Sequence, residues 1–136
     1  MSFLAKLNID DKEYNLLSIS FGVNSNYDPR SLMVSGLPQM STIDIEVEST
    51  SSSGFFKWSL DPYDKKDGQI IFFKRDAMAG SRTLIFQQAS LVSYSEKFNS
   101  LDSNAMVTSL KMVVDQIIFE DGIYTNIARR TSDIGE

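Results

Sequence analysis

The sequence predicts a mainly β fold: a small antiparallel barrel, built as two packed sheets, with one short α-helix. Apolar residues recur at every second position through most of the chain, which is the period of a strand with one buried face. These runs are short and are separated by clusters of Asp, Asn, Gly and Ser that favour turns. The one aromatic interval with helical spacing, residues 55–60, is stopped at once by Asp61-Pro62.

Phe3, Ala5, Leu7 and Ile9 alternate with Leu4, Lys6 and Asn8, giving a half-buried first strand. Asp10, Asp11 and Lys12 make a polar turn. Residues 14–23 return as the hairpin partner, with Leu17, Ile19, Phe21 and Val23 on one face. Alternation is then lost over residues 24–40, NSNYDPRSLMVSGLPQM, which read as an extended loop with a short extended piece at 32–34. Connections of that length are usually functional or disordered. Tyr27, Leu32, Met33, Val34, Leu37 and Met40 make this one too apolar for a disordered linker. The residues leave two readings open, a loop folded onto its own domain or a loop that docks on a neighbour.

Ile43, Ile45 and Val47 alternate with Asp44, Glu46 and Glu48 as a third strand. The hydroxyl-rich run 49–53 supplies N-caps for a helix of about two turns. Its Phe55, Phe56, Trp58 and Leu60 are expected to pack on a sheet, Phe56 and Leu60 as an i, i+4 pair, because so short a helix is marginal alone. Residues 65–68 are a charged turn, and 69–75, QIIFFKR, form a fourth strand apolar on both faces. That predicts burial on both sides or a subunit contact. After a turn at 77–82, residues 83–99 supply one long bent strand or two, anchored by Leu84, Phe86, Leu91, Tyr94 and Phe98. A turn at 100–104 leads into the longest alternating run, 106–119. Asp121-Gly122 is a hairpin signal, residues 123–127 pair back, and about 128–136 form a C-terminal tail. With 136 residues and no repeat or linker, the chain reads as one domain, 1–136. An open sheet of such strands must close or pair with another chain, so assembly is expected on physical grounds.

Composition removes most other classes. With neither cysteine nor histidine there are no thiol nucleophiles, disulfides, Ser-His-Asp triads or His/Cys zinc sites. A net charge of −5 argues against nucleic acid as a partner. The opening MSFLAKLNIDDKEYN lacks the basic and apolar regions of a Sec signal, and no apolar run approaches the roughly 20 residues that span a bilayer, so neither Sec export nor membrane insertion is expected.

Asp44, Glu46 and Glu48 place three carboxylates on one strand face, neighbours about 6.6–6.8 Å apart. Glycosidase pairs fall near that spacing. The polar side of a half-exposed strand is the commoner source of such a pattern, and Asp-x-Glu-x-Glu lacks the Gly turn of a calcium loop. Lys74, Arg75 and Arg82, with Arg129 and Arg130, are the basic clusters; Phe72 and Phe73 beside Lys74 and Arg75 resemble an aromatic–basic nucleic-acid surface, but the acidic balance favours strand-end charges. Trp58 reads as core packing. No nucleophile has a visible base, so no enzyme activity, cofactor or metal is expected.

The opening MSFLAKLNIDDKEYNLLSISF, then IDIEVEST with its hydroxyl-rich cap and aromatic helix, then QIIFFKRD, then AMVTSLKMVVDQIIF, occur in an order that resembles one family. It is the tube protein of type VI secretion systems (haemolysin-coregulated protein, Hcp or TssD), in its Bacteroidota-type branch, and the resemblance spans residues 1 to about 119. It implies a β-barrel with a helix on one side, assembled as hexameric rings that stack into a tube inside a contractile sheath. The implied partners are further copies of the chain, sheath, spike and baseplate proteins, and effectors. The implied route is synthesis in the bacterial cytoplasm and export through the machine. On this reading Tyr27, Arg30, Leu32, Met33, Leu37 and Met40 make subunit or ring-stacking contacts, and Asp44, Glu46 and Glu48 face the lumen or the exterior. The alternatives are a phage-type tail tube protein, a monomeric β-barrel ligand-binding module, and a carboxylate-based enzyme.

Overall fold

Each alternating run becomes a strand because it has one face to bury. The computed structural model describes residues 3–51, 53–74, 80–103 and 105–125. The elements are β1 (Phe3–Ile9), β2 (Lys12–Ser20), β3 (Val23–Tyr27), β4 (Val34–Met40), β5 (Ile43–Glu48), α1 (Phe55–Ser59), β6 (Lys66–Lys74), β7 (Gly80–Phe98), β8 (Met106–Val113), β9 (Gln116–Phe119) and β10 (Gly122–Thr125). Expectations for Arg75, for the turn at 77–79 and for the tail with Arg129 and Arg130 lie outside the described residues.

β1 and β2 are joined by Asp10 and Asp11, both left-handed at φ 55 and 59, the backbone that lets a two-residue hairpin follow strand twist. Following the pairings β7-β6-β1-β2-β5-β8 and back to β7 closes a barrel, with β9 and β10 added beside the first half of β7. Two strands serve both layers. β2 pairs with β1 as far as Asn15 and with β5 from Leu16; β7 pairs with β6 and β9 in its first half and with β8 from Ser90. Each change of partner lies beside a bulge, at Leu16/Ser18 and at Leu91/Ser93. A bulge adds a residue and sharpens the local twist, so one sheet folds into two packed layers without opening an edge there.

Leu7, Tyr14, Ile70, Leu84 and Phe86 of one layer meet Ile43, Ile45, Val47, Leu110 and Met112 of the other, all buried. Each such side chain contributes about 1.5–3 kcal/mol. Close packing extends to the backbone: a Cβ at Gly68 would lie 2.6 Å from the Phe86 ring and 2.9 Å from the Asn8 carbonyl oxygen.

The helix is shorter than expected. Phe55 and Trp58, three apart, are buried, and the Phe55 ring lies 4.9 Å from that of Tyr14. Phe56 and Leu60 are 61% and 68% exposed, so the i, i+4 pair is not buried; the helix turns its Phe55/Trp58 stripe inward instead, and Phe56 keeps a ring contact with Tyr94 at 5.9 Å. The N-cap is Gly54 in the left-handed conformation, φ 79, with no side-chain cap of its own. The Ser53 hydroxyl does accept from the Phe55 N–H at 3.2 Å. Below the helix, Trp58 Nε1–H donates to the Asp64 carbonyl at 2.6 Å, and Lys66 Nζ lies 2.6 Å from Asp10 and 3.7 Å from Asp64. The hydrogen bond to Asp10, opposed by burial, holds the Lys66 ammonium above its ordinary 10.5.

Four further expectations are corrected. Residues 24–40 are not a loop throughout: β3 and β4 pair as a hairpin around a loop at 28–33. This ribbon has no core face, so it carries no alternating signal. Leu17 sits in the β2 bulge, 37% exposed, and Val23 belongs to β3, so neither joins Ile19 and Phe21 on the inner face. Residues 106–119 are two strands, since the Asp115 N–H donates to the Gln87 carbonyl at 3.1 Å where the chain passes between layers. Both halves keep period two, but the parity shifts at the break, from buried Leu110, Met112 and Val114 to buried Ile117. Phe98, expected as an anchor, is 68% exposed at the end of β7.

Two outcomes are expected. Gly68→Ala should cost about 1–3 kcal/mol, read as a lower urea midpoint at unchanged slope; a shift under about 0.5 kcal/mol would mean that Phe86 moves aside freely. Because the Lys66 value is raised on folding, its contribution is complete below 10.5 and lost as pH rises through the folded value. Lys66→Met should therefore flatten the alkaline fall in stability, and an unchanged fall would remove the pair from the account.

Candidate functional site

The β3–β4 hairpin continues the β2–β5 pair beyond the barrel. Its root is tied down: the Ser41 N–H donates to the Gly22 carbonyl at 2.8 Å, the Gly22 N–H to Ser41 Oγ at 3.0 Å, and the Met40 N–H to the Tyr124 hydroxyl at 3.3 Å. Its tip is shaped by its own backbone. The Asp28 N–H donates to the Met33 carbonyl at 2.9 Å, the Leu32 N–H to the Asp28 carbonyl at 2.8 Å, and the Arg30 N–H to Asp28 Oδ1 at 2.9 Å. Leu32 adopts φ 59. A bulky residue in that conformation is uncommon, and here it turns the side chain outward.

The expected contact residues separate into two groups. Tyr27, Arg30, Leu32, Met33 and Leu37 all lie exposed on the ribbon or its tip; Leu32 and Met33 are 76% and 69% exposed. Met40 is half-buried against the chain's own core at the root. An isolated two-stranded ribbon is marginal in water, and a cluster of exposed apolar side chains marks a contact surface. Beside the root lies an open apolar groove of about 300 Å³, lined by Phe21, Val23, Pro38, Met40, Phe119 and Ile123.

The outer face of β2, β5, β8 and β7 is the second feature. Register places Ser20, Asp44, Lys111 and Ser93 in one row across it, and Ser18, Glu46, Ser109 and Ser95 in the next. Asp44 and Glu46 are exposed and Glu48 is half-buried. Each carboxylate is occupied separately. Glu46 accepts from Ser18 Oγ at 3.1 Å and Ser109 Oγ at 3.4 Å, Glu48 from Asn15 Nδ2 at 3.3 Å, and Asp44 from Thr42 Oγ1 at 2.9 Å. Asp44 and Glu46 line a shallow depression of about 320 Å³, which Glu48 does not reach, and the three do not converge on a common point. Small hydroxyls between carboxylates make a polar wall. Among the described residues no group of three acidic, His or Cys side chains is placed to hold a metal.

The far end of this sheet carries a third feature, one that the sequence pattern does not single out. There the register partners Phe98 and Met106, and Leu101 in the turn between them, are exposed. The signal was present as apolar residues flanking a polar turn, but those positions also fit the inner face of a strand.

A family model described as hemolysin coregulated protein Hcp (TssD) matches residues 1–127. The solved structure of Hcp1 from Flavobacterium johnsoniae is 31% identical, with a TM-score of 0.84 over 90% of this chain and 99% of that one. Hcp1 from Salmonella typhimurium is 15% identical, TM-score 0.70, over 92% and 93%. A sheath/tube terminator of an extracellular contractile injection system shares the fold at 16% identity and TM-score 0.54, over 85% and 92%. No curated protein sequence matches the chain.

Because Leu32 and Met33 lie exposed at the tip, Leu32→Glu and Met33→Glu should leave the stability of the single chain within about 0.5 kcal/mol. Thermal unfolding in dilute solution checks this; a loss of several degrees would mean that the tip packs on its own barrel.

Proposed function

We propose, because the chain belongs to the hemolysin coregulated protein Hcp (TssD) family, that six copies close into a ring and that rings stack head to tail into a tube. The family is one of structural tube proteins, not enzymes, and its members are secreted by type VI systems; the chain is a tube protein of that kind, in the Bacteroidota-type branch.

The observation that carries the finer reading is the hairpin. The barrel closes on itself, yet the β3–β4 ribbon leaves apolar side chains uncovered. A surface of that kind calls for a partner, and a contact between different patches of identical chains repeats without limit unless rotation closes it. In the proposed tube the polar outer face of β2, β5, β8 and β7 lines the lumen. Asp44, Glu46 and Glu48 there present bound carboxylates between serines, a wall on which a folded effector slides or docks weakly. Tyr27, Arg30, Leu32, Met33 and Leu37 contact a neighbouring subunit or ring. Sheath, spike and baseplate proteins surround and terminate the tube. The chain is made in the bacterial cytoplasm and leaves through the apparatus with its cargo.

Negative-stain microscopy of the purified chain should show six-fold rings, and tubes at higher concentration. In assembled tubes a cysteine at Glu46 or Ser109 should be shielded from a bulky maleimide that still labels one at Lys57 on the helix. Particles that stay monomeric at every concentration would remove the ring, and equal labelling at all three positions would remove the lumen assignment.

A further inference from the structure

The tip of the hairpin and the β7–β8 turn sit at opposite ends of one sheet. β2 and β5 run from the hairpin root, where Ser20 pairs with Asp44, and β8 from the other end, where Met106 pairs with Phe98 and Val107 with Glu48. Leu32 and Met33 crown one end; Phe98, Leu101 and Met106, at 68%, 92% and 46% exposed, crown the other. Within one chain these patches face away from each other across the length of the sheet, so only a second copy brings them together.

Charge matches the same way. At the tip, Asp28 engages the Arg30 backbone N–H, and the Arg30 guanidinium has no ion pair among the described residues. At the turn, Asp102 is exposed next to Leu101 and likewise has none. The nearby Glu96 is engaged by Ser49 and Tyr94, and Lys97 pairs across with Val107 in the row of Glu48, on the polar outer face. The turn is also held in shape: the Leu101 N–H donates to Asn99 Oδ1 at 3.0 Å and the Asn99 N–H to the Ala105 carbonyl at 2.7 Å.

We infer that the β7–β8 turn is the seat for the hairpin tip of a second copy: Leu32 and Met33 lie on Phe98, Leu101 and Met106, and Arg30 pairs with Asp102. This rests on the tube reading and names the two surfaces that join successive rings. Each copy carries one tip and one seat at opposite ends, so the contact is heterologous and does not close, and it gives the stack a direction.

The test is a charge swap in the full chain. Arg30→Glu and Asp102→Arg, each alone, should lower the amount of sedimentable tube roughly tenfold or more, while six-fold rings persist in negative stain. The two together should restore tubes. Leu101→Glu should also abolish stacking without disturbing rings, whereas Ile123→Glu, in the groove at the hairpin root, should leave it intact. A double variant no better than the worse single would overturn the pairing. So would loss of tubes on Ile123→Glu with none on Leu101→Glu, since the root groove would then be the seat. Loss of the rings themselves in the unsubstituted chain would instead overturn the underlying reading.

Discussion

Strand β7 pairs with β6 and β9 through its first half and with β8 through its second, and the bulge between Leu91 and Ser93 is where it changes layers. Strand β2 makes the matching change beside Leu16. Without these two bends the sheet would stay flat and open, exposing a long row of unpaired backbone groups at each edge. With them it closes, and Gly68 lets β6 approach the Phe86 ring closely enough to fill the fold between layers. Closure removes the open edges of the ring of strands that forms the barrel. Much of the exposed apolar surface then lies on features that leave that ring: the hairpin, the β7–β8 turn, the β9–β10 extension and the outer side of the helix.

The same closure separates two jobs along single strands. In β5, Ile43, Ile45 and Val47 face the core while Asp44, Glu46 and Glu48 face outward, and every outward carboxylate has its own donor. A catalytic pair needs two groups aimed at one point with different environments. Here the carboxylates lie in neighbouring rows of one surface, each answered by a hydroxyl or amide. That arrangement suits a wall better than a reaction centre, and it agrees with membership of a structural family.

Much of this was legible in the letters because burial imposes period two. The inner faces of β1, β5, β6 and β8 could be read directly from Leu7, Ile45, Ile70 and Leu110, as could the short helix from its aromatics and Pro62. What the letters hid follows from the same physics. A bulge shifts the parity of a strand, so Leu17 looked buried and is not. A ribbon without a core face has no reason to alternate, so β3 and β4 read as a loop. Apolar residues continue across the point where the chain passes between layers, with only a one-residue change of parity after Val114, so β8 and β9 read as one strand. In the helix, Phe56 and Leu60 satisfied the spacing rule, but Phe55 and Trp58, three apart, satisfied it too and took the face toward the core. The candidate surfaces were legible only as composition, because exposure of Leu32, Phe98 or Leu101 depends on where the barrel ends.

In the proposed tube an apolar tip would be a hazard before assembly, and the size of the patch bears on that. Burying a side chain such as Leu32 or Met33 is worth about 1.5–3 kcal/mol, whereas bringing two free chains together costs an estimated 4–15 kcal/mol in lost freedom. A contact of two or three such residues therefore barely holds two single chains together. In a ring the freedom is lost once for the whole junction, and the remaining tips then engage at high effective concentration. In the proposed hexamer a tip of modest size would distinguish rings from monomers: too weak to aggregate free chains, strong when six act in concert. The tight backbone bonds of residues 28–33 would serve the same end in the proposed contact, since a loop already shaped has less entropy to lose on docking.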